Sequence, residues 1–207
     1  MKKIAVLASG RGSNLQAIID RVEDGTIPGE IVVVASDKKD AFALERARKH
    51  DIEALYLDPN EFEGRVEFDL ALAKEIRDRG VDLVVLAGYM RILSKAFVEM
   101  FPNQILNIHP ALLPSFPGLS GQKDAVNYGV KISGCTVHFV DDQVDHGPII
   151  IQAAVPVLPE DDYKTLASRI LKKEHEIFPL AVEWYCRDLI TVEDRIVSVS
   201  GQRQAII

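Results

Sequence analysis

Apolar and polar positions change period repeatedly over the first hundred residues of the chain. Runs dominated by Val, Ile, Leu and Ala occupy residues 3–8, 30–35, 53–57, 81–87 and 104–109. Between them, apolar residues recur at three- and four-residue spacing over 14–23, 41–49, 62–79 and 95–101. The runs are too uniformly apolar to leave a face in water, so they read as strands covered on both sides. Their alternation with helices predicts βα crossovers and an α/β fold, a mostly parallel sheet flanked by helices.

From Pro110 the pattern changes. A loop rich in Pro, Gly and Ser (110–121) leads to a short helix, then to strands over 134–140 and 148–157. A long helix follows at about 162–186, and the remainder suggests a late strand and a hydrophobic end, QRQAII. No repeat, low-complexity run or flexible linker interrupts the chain, so 1–207 is expected to form a single domain of two halves, 1–100 and 101–207.

With 47% hydrophobic residues the chain has enough apolar surface for a full core. A net charge of −7 disfavours nucleic-acid or acidic-membrane partners. A phosphorylated small molecule stays open, because local backbone N–H groups can outweigh net charge. Cys135 and Cys186 stand in apolar contexts without CxxC spacing and read as buried thiols of a reducing compartment. The opening apolar run is too short for a secretory segment and no stretch is long enough to span a bilayer, so a cytoplasmic location is expected.

The segment ASGRGSNLQAI joins the first strand to the first helix. Gly10 and Gly12 permit a tight turn, Ser13 or Asn14 is placed to cap the helix, and N–H groups at that terminus form an anion site. Leu15 stands where a dinucleotide fingerprint has its third glycine. Asp37, a candidate ribose-binding acid, lies further on than the usual spacing. Phosphate is favoured over a dinucleotide, although a plain βα loop explains the same residues.

LNIHP ends the fifth apolar run. Strand alternation puts Asn107 and His109 on one face and Leu106 and Ile108 on the other. Of the remaining histidines, His50 reads as surface and His138 as a core or supporting residue, while His146 lies beside Asp145 in DDQVDHGPIII. Zinc held by His109, His138, Asp145 and His146 lacks any paired ligand spacing, and no GxSxG elbow supports a serine nucleophile. Asn107, His109 and Asp145 suit non-covalent acyl transfer: the amide and imidazole donate to an oxyanion, and the carboxylate orients the ring and balances its charge. Glu174 falls on the apolar stripe of the last helix with Leu166, Ile170, Ile177, Ala181 and Trp184. It either reaches solvent at the edge of that stripe or contacts a substrate amine or sugar hydroxyl.

SGRGSNLQAIID, SDKKDAFALERA, VDLVVLAGYMRILS, LNIHPALLPSFPG and GCTVHFVDDQVDHGPIIIQAAVPV together resemble the phosphoribosylglycinamide formyltransferase (GAR transformylase) family, in order and over nearly the whole chain. The resemblance implies a Rossmann-like formyltransferase fold, with a phosphate-binding N-terminal half and a C-terminal half that completes the folate and catalytic cleft. It implies that Asn107, His109 and Asp145 are catalytic. It also implies that Gly12, Ser13 and Asn14 bind the substrate phosphate, that Gly88 and Pro110 shape the substrate site, and that Glu174 contacts the ribose or amine. Arg65, Met90, Arg91, Ile92, Leu93, Asn107, Val140, Asp141 and Val144 would lie on the co-substrate, 10-formyltetrahydrofolate. No metal is implied. The partners are small molecules, with no nucleic acid and no membrane, and a homodimer is compatible. Two places depart from the pattern. Some members carry histidines after PGL where this chain reads Leu119-Ser120-Gly121-Gln122-Lys123, and His146 stands where a small residue is frequent.

The reaction so implied is direct formyl transfer in purine synthesis. Among its rivals, methionyl-tRNA formyltransferase would carry a further, basic C-terminal domain, and formyltetrahydrofolate deformylase, the hydrolase, an extra N-terminal one. A nucleotide-binding module would use the glycine loop and leave Asn107, His109 and Asp145 without a task.

Overall fold

The computed structural model describes residues 1–201, which form two compact units divided after Asn107. The hydrophobic end QRQAII lies outside the described residues.

In the first unit, strands β1 (Lys2–Leu7), β2 (Gly29–Ser36), β3 (Ala54–Tyr56), β4 (Leu83–Leu86) and the start of β5 (Ile105–His109) alternate with helices α1 (Ser13–Glu23), α2 (Phe42–Lys49), α3 (Arg65–Asp78) and α4 (Lys95–Met100). The strand order is β3-β2-β1-β4-β5, and each of these pairings is parallel. Continuous apolar runs make this possible: Ile4–Leu7 and Leu83–Leu86 are buried without alternation, as strands covered on both faces must be. The order turns at β1, whose neighbours are β2 and β4. The C-terminal ends of β1 and β4 therefore open side by side, where ligands of such sheets bind.

One helix begins later than the spacing predicts. Instead of starting at 62, the chain makes a 3₁₀ turn at Pro59–Glu61 and passes Gly64 before α3 begins at Arg65. Phe62 packs edge-on against Phe68, with centroids 5.5 Å apart, which anchors the incoming chain to the helix it fails to join.

The second unit holds the end of β5, helix α5 (Gly121–Tyr128), strands β6 (Ile132–Phe139) and β7 (Ile149–Pro156), helix α6 (Tyr163–Cys186), and strands β8 (Ile190–Glu193) and β9 (Ile196–Val199). Strands β6 and β7 form a long antiparallel pair. Gly134 lies where a Cβ would stand 1.9 Å from the Ala153 carbonyl oxygen, so the two strands pack closer there than any side chain permits. Helix α6 starts on Asp162, whose carboxylate accepts from the Lys164 and Thr165 N–H groups, and it buries Leu166, Ile170, Glu174, Ile177 and Ala181. In place of one late strand, β8 and β9 form a hairpin, turning through Asp194 at φ 55°. Among the described residues no helix is long and apolar enough to cross a membrane.

Candidate active site

The glycine loop leaves β1 at the point where the strand order turns. Gly12 takes φ 67° at the N-cap of α1, and no side chain caps the helix. Ser13 and Asn14 are therefore the first helical residues and not its caps, which corrects the expectation from sequence. Glycine is required at position 12 twice over: for the left-handed backbone, and because a Cβ there would lie 2.9 Å from Ala43 Cα. Helix α2 secures the loop from outside. The Ala43 N–H donates to the Gly10 carbonyl at 3.0 Å, and Arg46 Nε donates to the Arg11 carbonyl at 2.9 Å. Tying two successive carbonyls to α2 commits them to that helix and holds the loop against it.

Ser9 links this loop to the one after β4. Its hydroxyl donates to Asp37 at 2.6 Å and accepts the Met90 N–H at 2.9 Å, while its own N–H donates to the Gly88 carbonyl. Asp37 is thus buried and committed to Ser9, which corrects its candidacy as a ribose ligand. In the β4 loop, Gly88 is left-handed at φ 77°, and Met90 and Ile92 stand exposed. Arg91 lays its guanidinium 4.6 Å from the centre of the Phe68 ring. Asp69 accepts the Ser94 N–H at 2.5 Å and ties α3 to the start of α4. Burial raises the Tyr89 phenol above its ordinary range, helped by the Asp37 and Asp69 charges. Arg65, the first residue of α3, is exposed.

A second group gathers in the second unit around His109. This residue is almost fully buried at the end of β5, two residues beyond Asn107. Its Nδ1 lies 3.2 Å from Asp145 Oδ2, and its Nε2 lies 2.8 Å from the Phe116 carbonyl. Both neighbours are oxygen acceptors, so each ring nitrogen faces an oxygen. The same Asp145 oxygen accepts the Gly118 N–H at 2.7 Å. Its other oxygen lies 3.8 Å from Nε2 of His138. Burial lowers the His138 pKa, against the opposing pull of its bond to the Phe139 carbonyl and of Asp145. Asp145 takes φ 51°, an uncommon backbone for a residue with a side chain, and so aims its carboxylate back at His109.

Strand β6 also supports the 110–118 loop. Thr136, on the same strand face as His138, donates to the Ala111 carbonyl and accepts the Leu113 N–H. Among the described residues, no group of three or more His, Cys, Asp or Glu side chains is placed to hold a metal ion.

A family model described as formyl transferase matches residues 2–182. The chain belongs to that family. Phosphoribosylglycinamide formyltransferase of Haemophilus influenzae is 43% identical over 98% of this formyl transferase and 95% of its own length. The protein of that name from Escherichia coli is 44% identical over 97% and 94%. The crystal structure of glycinamide ribonucleotide transformylase 1 from Symbiobacterium toebii superposes with a TM-score of 0.95 at 52% identity, covering 96% of this chain and 94% of that one.

Several residues of this formyl transferase's site escaped the sequence reading. Gly118 and Phe116 contribute backbone groups, which no residue identity advertises. Arg46 lies on another helix, far along the chain from the loop it holds. His138, in contrast, reads from sequence as a core or supporting residue, and it is buried beside Asp145. His146, adjacent to Asp145, turns away to Asp141, 2.7 Å from its Nδ1, and to Arg195. His50, expected at the surface, is half-buried between Glu23 and Gln16.

Proposed function

We propose that the protein transfers the formyl group of 10-formyltetrahydrofolate to the amine of 5-phosphoribosylglycinamide (GAR), giving formyl-GAR and tetrahydrofolate in de novo purine biosynthesis. The observation that carries this reading is the His109 ring held between the Asp145 carboxylate and the Phe116 carbonyl, on the strand that presents Asn107.

The amine lone pair attacks the formyl carbon, a C–N bond forms, and the carbonyl becomes an oxyanion. The Asn107 amide and the His109 N–H donate to that oxyanion, while Asp145 fixes the ring and balances its charge. Collapse breaks the bond to the folate N10. The proton lost by the amine ends on that nitrogen, and no covalent enzyme intermediate forms. Gly12, Ser13 and Asn14 take the GAR phosphate on backbone and helix-terminal N–H groups, with Gly88, Pro110 and Glu174 completing its set. The folate falls to Arg65, Met90, Arg91, Ile92, Leu93, Asn107, Val140, Asp141 and Val144. No metal has a part in these steps. Both substrates are small molecules, the location is cytoplasmic, and a homodimer is compatible with this reading.

The test is an absorbance assay of the purified protein with GAR and a 10-formyl folate. Formyl-GAR should appear in step with folate consumption. Folate deformylation that needs no GAR would support the hydrolase instead, and no turnover of either kind would overturn the proposal.

A further inference from the structure

We propose that Arg195, at the tip of the β8–β9 hairpin, is a positioning residue for Asp145 and acts through His146, the residue that follows it. The inference rests on the reading of Asp145 as a catalytic group.

The loop joining β6 to β7 is closed at its base. The Phe139 N–H donates to the Pro148 carbonyl at 2.9 Å. At Gly147 a Cβ would stand 1.9 Å from the Phe139 carbonyl oxygen, so only glycine fits. Between these ends Asp145 holds its left-handed backbone, a conformation disfavoured for a residue with a Cβ. Something must hold the residue that follows, and Arg195 is placed to do so. Its Nη2 donates to the His146 carbonyl at 2.7 Å. Its Nη1 lies 3.3 and 3.2 Å from the two ring nitrogens of His146. Asp141 Oδ2 lies 2.7 Å from His146 Nδ1, and Asp141 Oδ1 accepts the Gln143 N–H. A carboxylate and a guanidinium therefore both hold His146. Displacement of His146 would swing the Asp145 carboxylate off Gly118 and His109, and a small displacement at such a site is costly. The departure at position 146 thus gains a purpose: this histidine gives the hairpin a side chain, as well as a carbonyl, to hold.

The test is a double-mutant cycle of Arg195→Met and Asp145→Asn, with Arg195→Lys as the conservative variant and thermal midpoints measured alongside. Arg195→Met should lower kcat about tenfold with little change in the KM for GAR, and Arg195→Lys should recover part of the loss. Placed on Asp145→Asn, Arg195→Met should cost nothing further. An unchanged kcat in Arg195→Met, or an undiminished loss in the Asp145→Asn background, overturns the inference while Asp145→Asn itself remains impaired. An unimpaired Asp145→Asn would overturn the catalytic reading on which it rests.

Discussion

Asp145 Oδ2 stands 3.2 Å from Nδ1 of His109, while the other ring nitrogen faces the Phe116 carbonyl at 2.8 Å. In the proposed reaction the carboxylate serves the ring nitrogen that faces away from the chemistry. Asp145→Asn keeps an oxygen for the Gly118 N–H and removes the charge. Formyl transfer should fall about 10²–10³-fold in kcat, with smaller changes in either KM, as for loss of one stabilising group at an oxyanion site. Steady-state kinetics with each substrate varied in turn measure both quantities.

His138 makes stability depend on pH. Its folded pKa is depressed below the ordinary 6.5, chiefly by burial. As pH falls, the unfolded chain binds the proton first. The stabilisation is therefore present above about 6.5 and lost as pH drops from there toward the folded value. His175, depressed by burial as well, acts in the same direction. Thermal midpoints should decline on acidification through this window, and His138→Gln should show a shallower decline than the parent.

Gly12 and Gly10 should respond differently to alanine. At Gly12 the new Cβ meets Ala43 Cα at 2.9 Å on a left-handed backbone, whereas at Gly10 it meets nothing within 4 Å. Gly12→Ala should destabilise the fold by roughly 2 kcal/mol and raise the KM for GAR, while Gly10→Ala should stay within about 0.5 kcal/mol of the parent. Chemical denaturation of the pair checks the contrast.

Arg46 offers a test of the loop's outer support. Its Nε–H bond to the Arg11 carbonyl and its Nη1 bond to Gln16 join α2, the loop and α1. Arg46→Met removes these donors, together with the guanidinium that lies 4.8 Å from the centre of the Phe42 ring. The KM for GAR should rise about tenfold while the KM for the formyl folate stays put, since only the phosphate end loses its frame.

The parallel half was legible because its strands are unbroken apolar runs and its helices carry a clear stripe. Boundaries slipped where local chemistry outweighed period, as at Gly64, which delays α3 to Arg65. Asn107 and His109 stood out through alternation alone. Asp145 entered from the residues as a partner by type, and its distance from His109 needed the fold. The backbone groups of Phe116 and Gly118 carry no mark in a sequence, and the outward turn of His146 depends on an arginine far along the chain. Asp37, set aside from sequence for its spacing, is a suggestive acid at a strand end whose carboxylate accepts from a neighbouring serine.

In the proposed reaction, the Phe116 carbonyl on His109 bears on selectivity between states of the substrate. An arriving formyl oxygen that takes its place replaces one amide-type acceptor with another, so the exchange in the ground state is close to even. The balance tips only as charge builds on that oxygen, when His109 trades a neutral acceptor for an anionic one. The loop carbonyl thereby acts as a reference acceptor, against which the bound substrate prevails only while it is being transformed.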